Sequence, residues 1–283
     1  MVKVIRPLDL DEALDCLSQK KMIVFAGGTD LMIRYRALAG SLPDWPQDVL
    51  YIADLDALKT IAIDHETISI GSCVTISEIL NHPMIPKIIK RPLMEIGSLP
   101  IRNSATLGGN LCNASPAGDA LTMLVALDAV VVTRSKQWGE KTRPVSDFII
   151  GPKQTRLKED ELVIRIIIPN EHFRVLYYKK VGARNANAIT KLSIYALAKD
   201  RELTDLRIAF GAMGPKIIRD RACEMALIQA EPNERIALSL QRYGDLLTPI
   251  DDVRSTKGYR KQVALNLLKD FMEREGCYEK TVR

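Results

Sequence analysis

A chain of 283 residues, 47% hydrophobic and 27% charged, has the composition of an ordinary globular protein, which excludes the disordered and fibrous classes. Cores stop growing efficiently above about 250 residues, so this length implies more than one folding unit. A net charge of +5, with basic residues spread among 35 acidic ones, leaves no nucleic-acid footprint, and no segment approaches the roughly 20 apolar residues that span a bilayer; a cytoplasmic protein is expected.

The first predicted element is a short strand over Lys3 to Ile5. Asp9 is placed to cap a helix in which Ala13, Leu14 and Leu17 recur at helical spacing. A second strand, Met22 to Ala26, ends at Gly27 and Gly28, after which Thr29 or Asp30 caps a helix carrying Leu31, Ile33 and Leu38. Beyond Pro43 and Pro46, the stretches VLYIADL, TIAID and TISIGSCVT alternate apolar and polar residues as sheet strands do. Ser77 to Leu80 and Ile85 to Ile96 are helical, Ile101 to Gly118 is a small-residue loop, a helix starts near Asp119, and a strand runs from about Ala129 to Thr133.

Glu161 to Pro169 is a strongly apolar strand stopped by its proline, and the domain boundary is placed just after it, at His172. Three strands follow, VLYYKKV, AITKLSIYALA and LRIAFGAM, the second of which also reads as a helix. Helices then start near Ile218, Glu234 and Lys257, the last running to the C-terminus. Strands followed by helices define a smaller α+β unit.

Five cysteines without a CxxC pair and three isolated histidines give neither a disulfide framework nor a metal or Ser/His/Asp constellation, so no metal site and no catalytic side chain is assigned. If the chain is an enzyme, a bound cofactor carries its chemistry. Two stretches have the character of a cofactor cradle. AGGTDL, Ala26 to Leu31, puts two glycines where a strand becomes a helix. There, successive N–H groups can converge on one point and the helix dipole favours an anion, although a GG pair serves equally as a tight turn. ATLGGN, Ala105 to Asn110, repeats the pattern, with Asp119 downstream as a hydroxyl acceptor or a plain first-turn acid. Two such cradles suit a diphosphate. Neither matches the GxGxxG or P-loop fingerprints.

With these motifs the sequence resembles the FAD-binding (medium) subunits of molybdenum hydroxylases, the group of xanthine dehydrogenase, carbon monoxide dehydrogenase and nicotinate dehydrogenase. The resemblance is carried by VFAGGTDL (Val24 to Leu31) and IRNSATLGGNLCNASPAGD (Ile101 to Asp119). It continues through DELVIRIIIP, YYKKVGAR, LRIAFGAMGP and DDVRSTKGYRKQVALNLL, over nearly the whole chain. It implies an α+β protein: a two-part FAD-binding domain of the vanillyl-alcohol oxidase/MurB (PCMH) type over 1–172, with subdomains of about 1–55 and 56–172. A C-terminal domain over 173–283 would hold a three-stranded sheet plus helices. By position, Val24, Phe25, Ala26, Gly27, Gly28, Thr29, Asp30 and Leu31 would wrap the FAD diphosphate, with Ala105, Thr106, Leu107, Gly108, Gly109 and Asn110 also contacting it. Asp119 would meet the ribityl or ribose region, Leu162 the flavin ring and Lys180 the isoalloxazine, while Lys180 read alone is a surface lysine. Cys112 falls where the family often has an aliphatic residue beside the ring, which implies packing.

The implied function is an electron-transfer subunit. It would take electrons from 2Fe–2S clusters of a ferredoxin-like small subunit and pass them through FAD to an acceptor such as NAD⁺. A molybdopterin-binding large subunit would hydroxylate the substrate, the whole forming a dimer of heterotrimers. The cysteine-rich insertion that carries a 4Fe–4S cluster in some members is lacking. A stand-alone flavin oxidase of related fold and a non-redox nucleotide-binding module are the competing readings.

Overall fold

A computed structural model describes residues 2–36, 43–184, 187–200 and 202–276. In chain order the strands are β1 (Val4–Ile5), β2 (Ile23–Phe25), β3 (Val49–Tyr51), β4 (Ile61–Ile63), β5 (Thr67–Gly71), β6 (Val130–Ser135), β7 (Gly139–Pro144), β8 (Ile149–Gly151), β9 (Gln154–Thr155), β10 (Glu161–Pro169), β11 (Val175–Val181), β12 (Leu192–Ala198), β13 (Leu206–Gly211) and β14 (Ile218–Arg219). The α-helices are α1 (Leu10–Gln19), α2 (Leu31–Arg34), α3 (Ile76–Asn81), α4 (Lys87–Leu93), α5 (Leu99–Ser104), α6 (Leu107–Asn113), α7 (Asp119–Ala126), α8 (Val145–Phe148), α9 (Arg221–Gln229), α10 (Arg235–Leu246) and α11 (Lys257–Phe271). Two units are formed, one from Met1–Pro86, Ile96–Ala114 and Ala129–Asn170, the other from Lys87–Glu95, Ser115–Asp128 and Glu171–Arg283.

In the first unit, Asp9 caps α1 by accepting from the Glu12 N–H at 2.8 Å, and the helix buries Ala13, Leu14 and Leu17 as its spacing requires. A parallel sheet in the order β1-β3-β2 and an antiparallel sheet in the order β4-β5-β10-β6-β7 supply the other walls of one core. Leu14, Leu17, Leu50, Leu58, Val132, Leu162 and Ile164 meet in it. Strand β10 lies between β5 and β6, with a bulge between Val163 and Arg165, which accounts for its nearly continuous apolar run.

Two expectations for this unit change. The stretch from Ile101 onward is not a loop: α5 and α6 occupy most of it, because Pro100 suits a first turn and Thr106 caps α6. Its small residues serve close packing instead. The helix after the first glycine pair is a single turn, Leu31–Arg34, with no buried residue, and the expected Leu38 lies outside the described residues.

In the second unit, β11-β12-β13-β14 form an antiparallel sheet of four strands, not three. Asp220 holds an extended backbone and caps α9 through the Cys223 N–H at 2.7 Å. The helix therefore starts at Arg221, and Ile218 and Arg219 stay extended and pair with Phe210 and Ala209. The ambiguous AITKLSIYALA contains strand β12, in which every residue is buried. Leu192, Ile194 and Ala196 join the core with Leu227, Tyr243, Leu268 and Phe271 of the three C-terminal helices. On the opposite face Ser193 meets Thr122 of α7, and the Tyr195 hydroxyl donates to the Ile88 carbonyl of α4 at 2.7 Å. A strand covered on both faces loses the alternation that marks a strand in sequence.

Arg219, almost fully buried, pairs with Glu224 and Asp128, each at 2.9 Å, and donates to the Val125 and Ala126 carbonyls at the end of α7. That is where a helix favours a cation. Helix α11 continues as a π-helical segment over Met272–Gly276, and the chain beyond it lies outside the described residues. Among the described residues no helix is long and apolar enough to cross a membrane.

Candidate functional site

Strand β2 rises from the core and delivers the first glycine pair at the strand end of a parallel sheet. Gly28 holds φ +70°, a conformation that costs an L-residue roughly 1–2 kcal/mol. A β-carbon there would also lie 2.1 Å from Phe25 Cζ, and one on Gly27 would lie 1.9 Å from the Ser104 carbonyl oxygen. Gly27 is thus required by the packing of the chain itself, and Gly28 by its backbone conformation. The turn still has donors to offer. Among the described residues, the backbone N–H groups of Ala26, Gly27, Gly28, Thr29 and Asp30 donate no hydrogen bond, and the Thr29 hydroxyl has no partner. Two of their carbonyls are used, Gly28 accepting from the Met32 N–H at 2.8 Å and Asp30 from the Arg34 N–H at 3.0 Å. A run of unused N–H groups, half-buried from Ala26 to Thr29, is what an anion requires. The dipole of the four-residue α2 adds little, since the effect comes from aligned peptides over several turns.

The second motif is built differently from the expected nest. Gly109 N–H donates to the Thr106 hydroxyl at 3.0 Å, Asn110 N–H to the Thr106 carbonyl at 3.0 Å, Gly108 N–H to the Ser72 carbonyl at 3.1 Å, and Leu107 N–H to the Val74 carbonyl at 3.2 Å. These donors are spent inside the protein. Gly108 is needed because a β-carbon would come within 2.6 Å of Ser72, whereas one on Gly109 would meet only the Thr106 hydroxyl, at 2.9 Å. Gly109 therefore keeps an open face, and the Asn110 Oδ1 beside it is buried without a partner. The Gly27 contact with Ser104 and Ala105 brings the two motifs together in one wall.

That wall is braced by α3. Thr75 caps it, accepting from the Glu78 N–H at 3.2 Å while Glu78 accepts from the Thr75 N–H at 2.7 Å, and Ile76 N–H donates to the Ala105 carbonyl at 2.9 Å. Thr75→Ala should cost about 1 kcal/mol of stability. Thermal unfolding of the full-length variant checks this.

In the second unit, Asp119 opens α7 and is buried. Its Oδ1 accepts from the Thr190 hydroxyl at 2.7 Å and the Tyr178 hydroxyl at 3.2 Å, and its Oδ2 accepts from Lys180 Nζ at 2.6 Å. Burial pushes the Asp119 carboxyl above the usual carboxylate range, against the pull of Lys180 and the two hydroxyls. Lys180 is no surface lysine: only 7% of its side chain is exposed, and Nζ also donates to the Glu95 carbonyl at 2.8 Å. An ammonium carries three donors, and two are used by described residues. Lys180 lines a pocket of about 460 Å³ together with Arg91, Glu95 and the residues from Val181 to Arg184.

Leu162 sits on β10, buried in the core of the first unit. Burial pushes the Cys112 thiol up to about 12, which fits a packing role and leaves it a poor nucleophile. The sequence pointed to the residues around the glycines but not to Ser72, Thr75, Glu78, Thr190 or the Glu95 carbonyl. Ser72, Thr190 and the Glu95 carbonyl act through contacts that only the fold creates, whereas Thr75 and Glu78 stand at the three-residue spacing of a capping box, a signal the sequence does carry.

Residues 1–171 match the family model described as FAD binding domain in molybdopterin dehydrogenase, and residues 177–274 the one described as CO dehydrogenase flavoprotein C-terminal domain. The chain belongs to the FAD-binding medium subunits of the molybdopterin hydroxylases and is a subunit of an FAD-dependent oxidoreductase. It is similar to the glyceraldehyde dehydrogenase medium chain of Sulfolobus acidocaldarius, 29% identical over 95% of this chain and 96% of that one. It is also similar to caffeine dehydrogenase subunit beta of Pseudomonas sp., 31% identical over 79% and 77%. Its fold is like that of a chain of carbon monoxide dehydrogenase from Hydrogenophaga pseudoflava, with a TM-score of 0.86 at 21% identity over 98% of both chains.

Proposed function

We propose that this chain is the electron-transfer subunit of a molybdenum hydroxylase complex, and that the Val24 to Leu31 turn grips the FAD diphosphate. The observation that carries the reading is the run of unused N–H groups from Ala26 to Asp30 on a turn with Gly28 at φ +70°. A diphosphate needs several N–H donors, and this turn leaves five unused among the described residues, two of them on glycines. Ala105 to Asn110 contribute in another way. With their N–H groups committed, they form a close-packed wall whose open point is Gly109 and whose free acceptor is Asn110 Oδ1. In the second unit, Asp119 and Lys180 act toward the flavin through the donor that Lys180 has left; in the first, Leu162 is a further FAD-contacting residue in this reading.

Bound FAD supplies the ability to collect electrons singly and release them as a pair, here from 2Fe–2S clusters of a partner subunit to an external acceptor such as NAD⁺. This chain's residues bind and orient; none is a general acid or base for a substrate. In the proposed complex a ferredoxin-like small subunit and a molybdopterin-binding large subunit carry the other centres, as a dimer of heterotrimers. The similarity to relatives named medium chain and subunit beta supports such partners. The two matched family segments support a domain division at about residue 172, and a first domain of the vanillyl-alcohol oxidase/MurB (PCMH) type accords with its parallel and antiparallel sheets.

The test is reconstitution of the complex with and without flavin. With FAD present, an acceptor is reduced at the expense of the molybdenum substrate. Full acceptor reduction by the flavin-free complex would overturn the proposal.

A further inference from the structure

The carboxylate of Asp119 is held more firmly than an ion pair with Lys180 demands. Asp119 and Lys180 are each about 7% exposed, and two more buried groups, Thr190 and Tyr178, aim hydroxyls at Oδ1, the oxygen that Lys180 does not use. A carboxylate in such a setting either collects donors or takes a proton. Tyr178 stays protonated: burial and the neighbouring Asp119 and Glu95 push its hydroxyl far above its usual value, so it remains a donor. Its ring is held in turn by Arg91, whose guanidinium lies 5.5 Å from the ring centroid and pairs with Glu95 at 2.5 Å. The charged and titratable groups around Asp119 are thus Lys180 and Tyr178 on β11, with Arg91 and Glu95 on and after α4.

We infer that Tyr178 and Thr190 are positioning residues for the cofactor: their hydroxyls hold Asp119 ionised and turned, and Asp119 fixes Lys180 so that one donor is left for the pocket ligand. This rests on the reading that Lys180 acts toward FAD. Neither residue is required to touch the ligand. If Asp119 took a proton, Lys180 would lose its counter-charge in a buried place and the anchor that fixes its Nζ. FAD binding therefore has an acid limit, and the two hydroxyls set where it falls.

The sign follows from the bonds. A hydroxyl donating to Oδ1 favours the ionised carboxylate, so its removal lets Asp119 take a proton at higher pH. In Thr190→Val the acid limb of FAD binding should move to higher pH by about one unit, the worth of one hydrogen bond to a charged group. Thr190→Ser should restore the native profile. Tyr178→Phe, which loses a longer bond, should give a smaller shift in the same direction.

The experiment is FAD affinity against pH, from flavin fluorescence, on the full-length chain, with folding followed by thermal unfolding at each pH. Lys180→Gln is measured alongside. Upward shifts in Thr190→Val and Tyr178→Phe, with recovery in Thr190→Ser, support the inference. Profiles in both variants that superimpose on the native one, while Lys180→Gln weakens FAD binding, overturn the inference and leave the reading of the pocket standing. Native FAD affinity at all pH values in Lys180→Gln overturns that reading and the inference with it. Should Thr190→Val fail to fold, Tyr178→Phe decides by the same criteria.

Discussion

Gly109→Val should strip the chain of FAD while its unfolding free energy changes by about 1 kcal/mol or less. The β-carbon at this position meets only the Thr106 hydroxyl, at 2.9 Å, so the fold loses at most part of one helix cap. Valine is also a somewhat better helix residue than glycine, which offsets part of that cost. The branched side chain fills the open face on which the proposed cradle depends, and FAD affinity should fall roughly 100-fold, about 2.7 kcal/mol. Gly28→Val should also lose FAD, but for a mixed reason. Its β-carbon would lie 2.1 Å from the Phe25 ring on a backbone at φ +70°, so the turn itself must rebuild and stability falls with binding. Flavin titration and thermal unfolding of both variants separate the two causes. Gly109→Val with native FAD affinity would show that the second glycine pair serves only the helix.

Lys180→Met should destabilise the second unit by about 3–5 kcal/mol, because it leaves the Asp119 carboxylate buried without its counter-charge. The loss should shrink toward acid pH. Burial already raises the folded-state pKa of Asp119, and removing Lys180 raises it further. An acid whose pKa is raised on folding contributes least at high pH, so stability is lost as pH rises through the folded-state value and recovered below it. Replacing both residues, Lys180→Met with Asp119→Leu, should recover most of the loss, since an apolar pair of similar size is close to neutral in place of a buried ion pair. Denaturant unfolding of the two single variants and the double variant measures the coupling. Additive losses would mean that the two charges do not depend on each other.

The sequence was most legible where one residue type has one physical use. Asp9 before Ala13, Leu14 and Leu17 marks a cap and a buried face, and both are present in α1. Pro169 ends β10 as the run Glu161 to Pro169 predicts. Legibility failed where a residue serves two ends. The glycines of ATLGGN carry the same letters as those of AGGTDL, yet Gly108 answers to Ser72 and Gly28 to its own positive φ. The N–H groups of the one pair are consumed in the fold, that of Gly108 by Ser72, more than thirty residues away, and that of Gly109 by the Thr106 cap, while those of the other pair are left over. Small residues in a row read as loop because glycine and alanine lack a periodic apolar pattern, and here they let α6 approach β5 closely. Strand β14 was read as part of a helix, since two residues carry no period of their own and only the extended Asp220 cap separates them from α9. Lys180 read alone was a surface lysine because its partners Asp119 and Glu95 arrive from other parts of the chain.

The most direct test of the account compares FAD with FMN on the flavin-free full-length chain. FMN carries the same ring with a single phosphate, so it keeps any contact to Lys180 but cannot span the donors from Ala26 to Asp30 as a diphosphate does. Titration followed by flavin fluorescence should give one FAD per chain and roughly 100-fold weaker binding of FMN, a difference of about 2.7 kcal/mol. Equal affinity for the two flavins would contradict the diphosphate cradle, and the absence of binding by either would contradict the assignment of FAD to these residues.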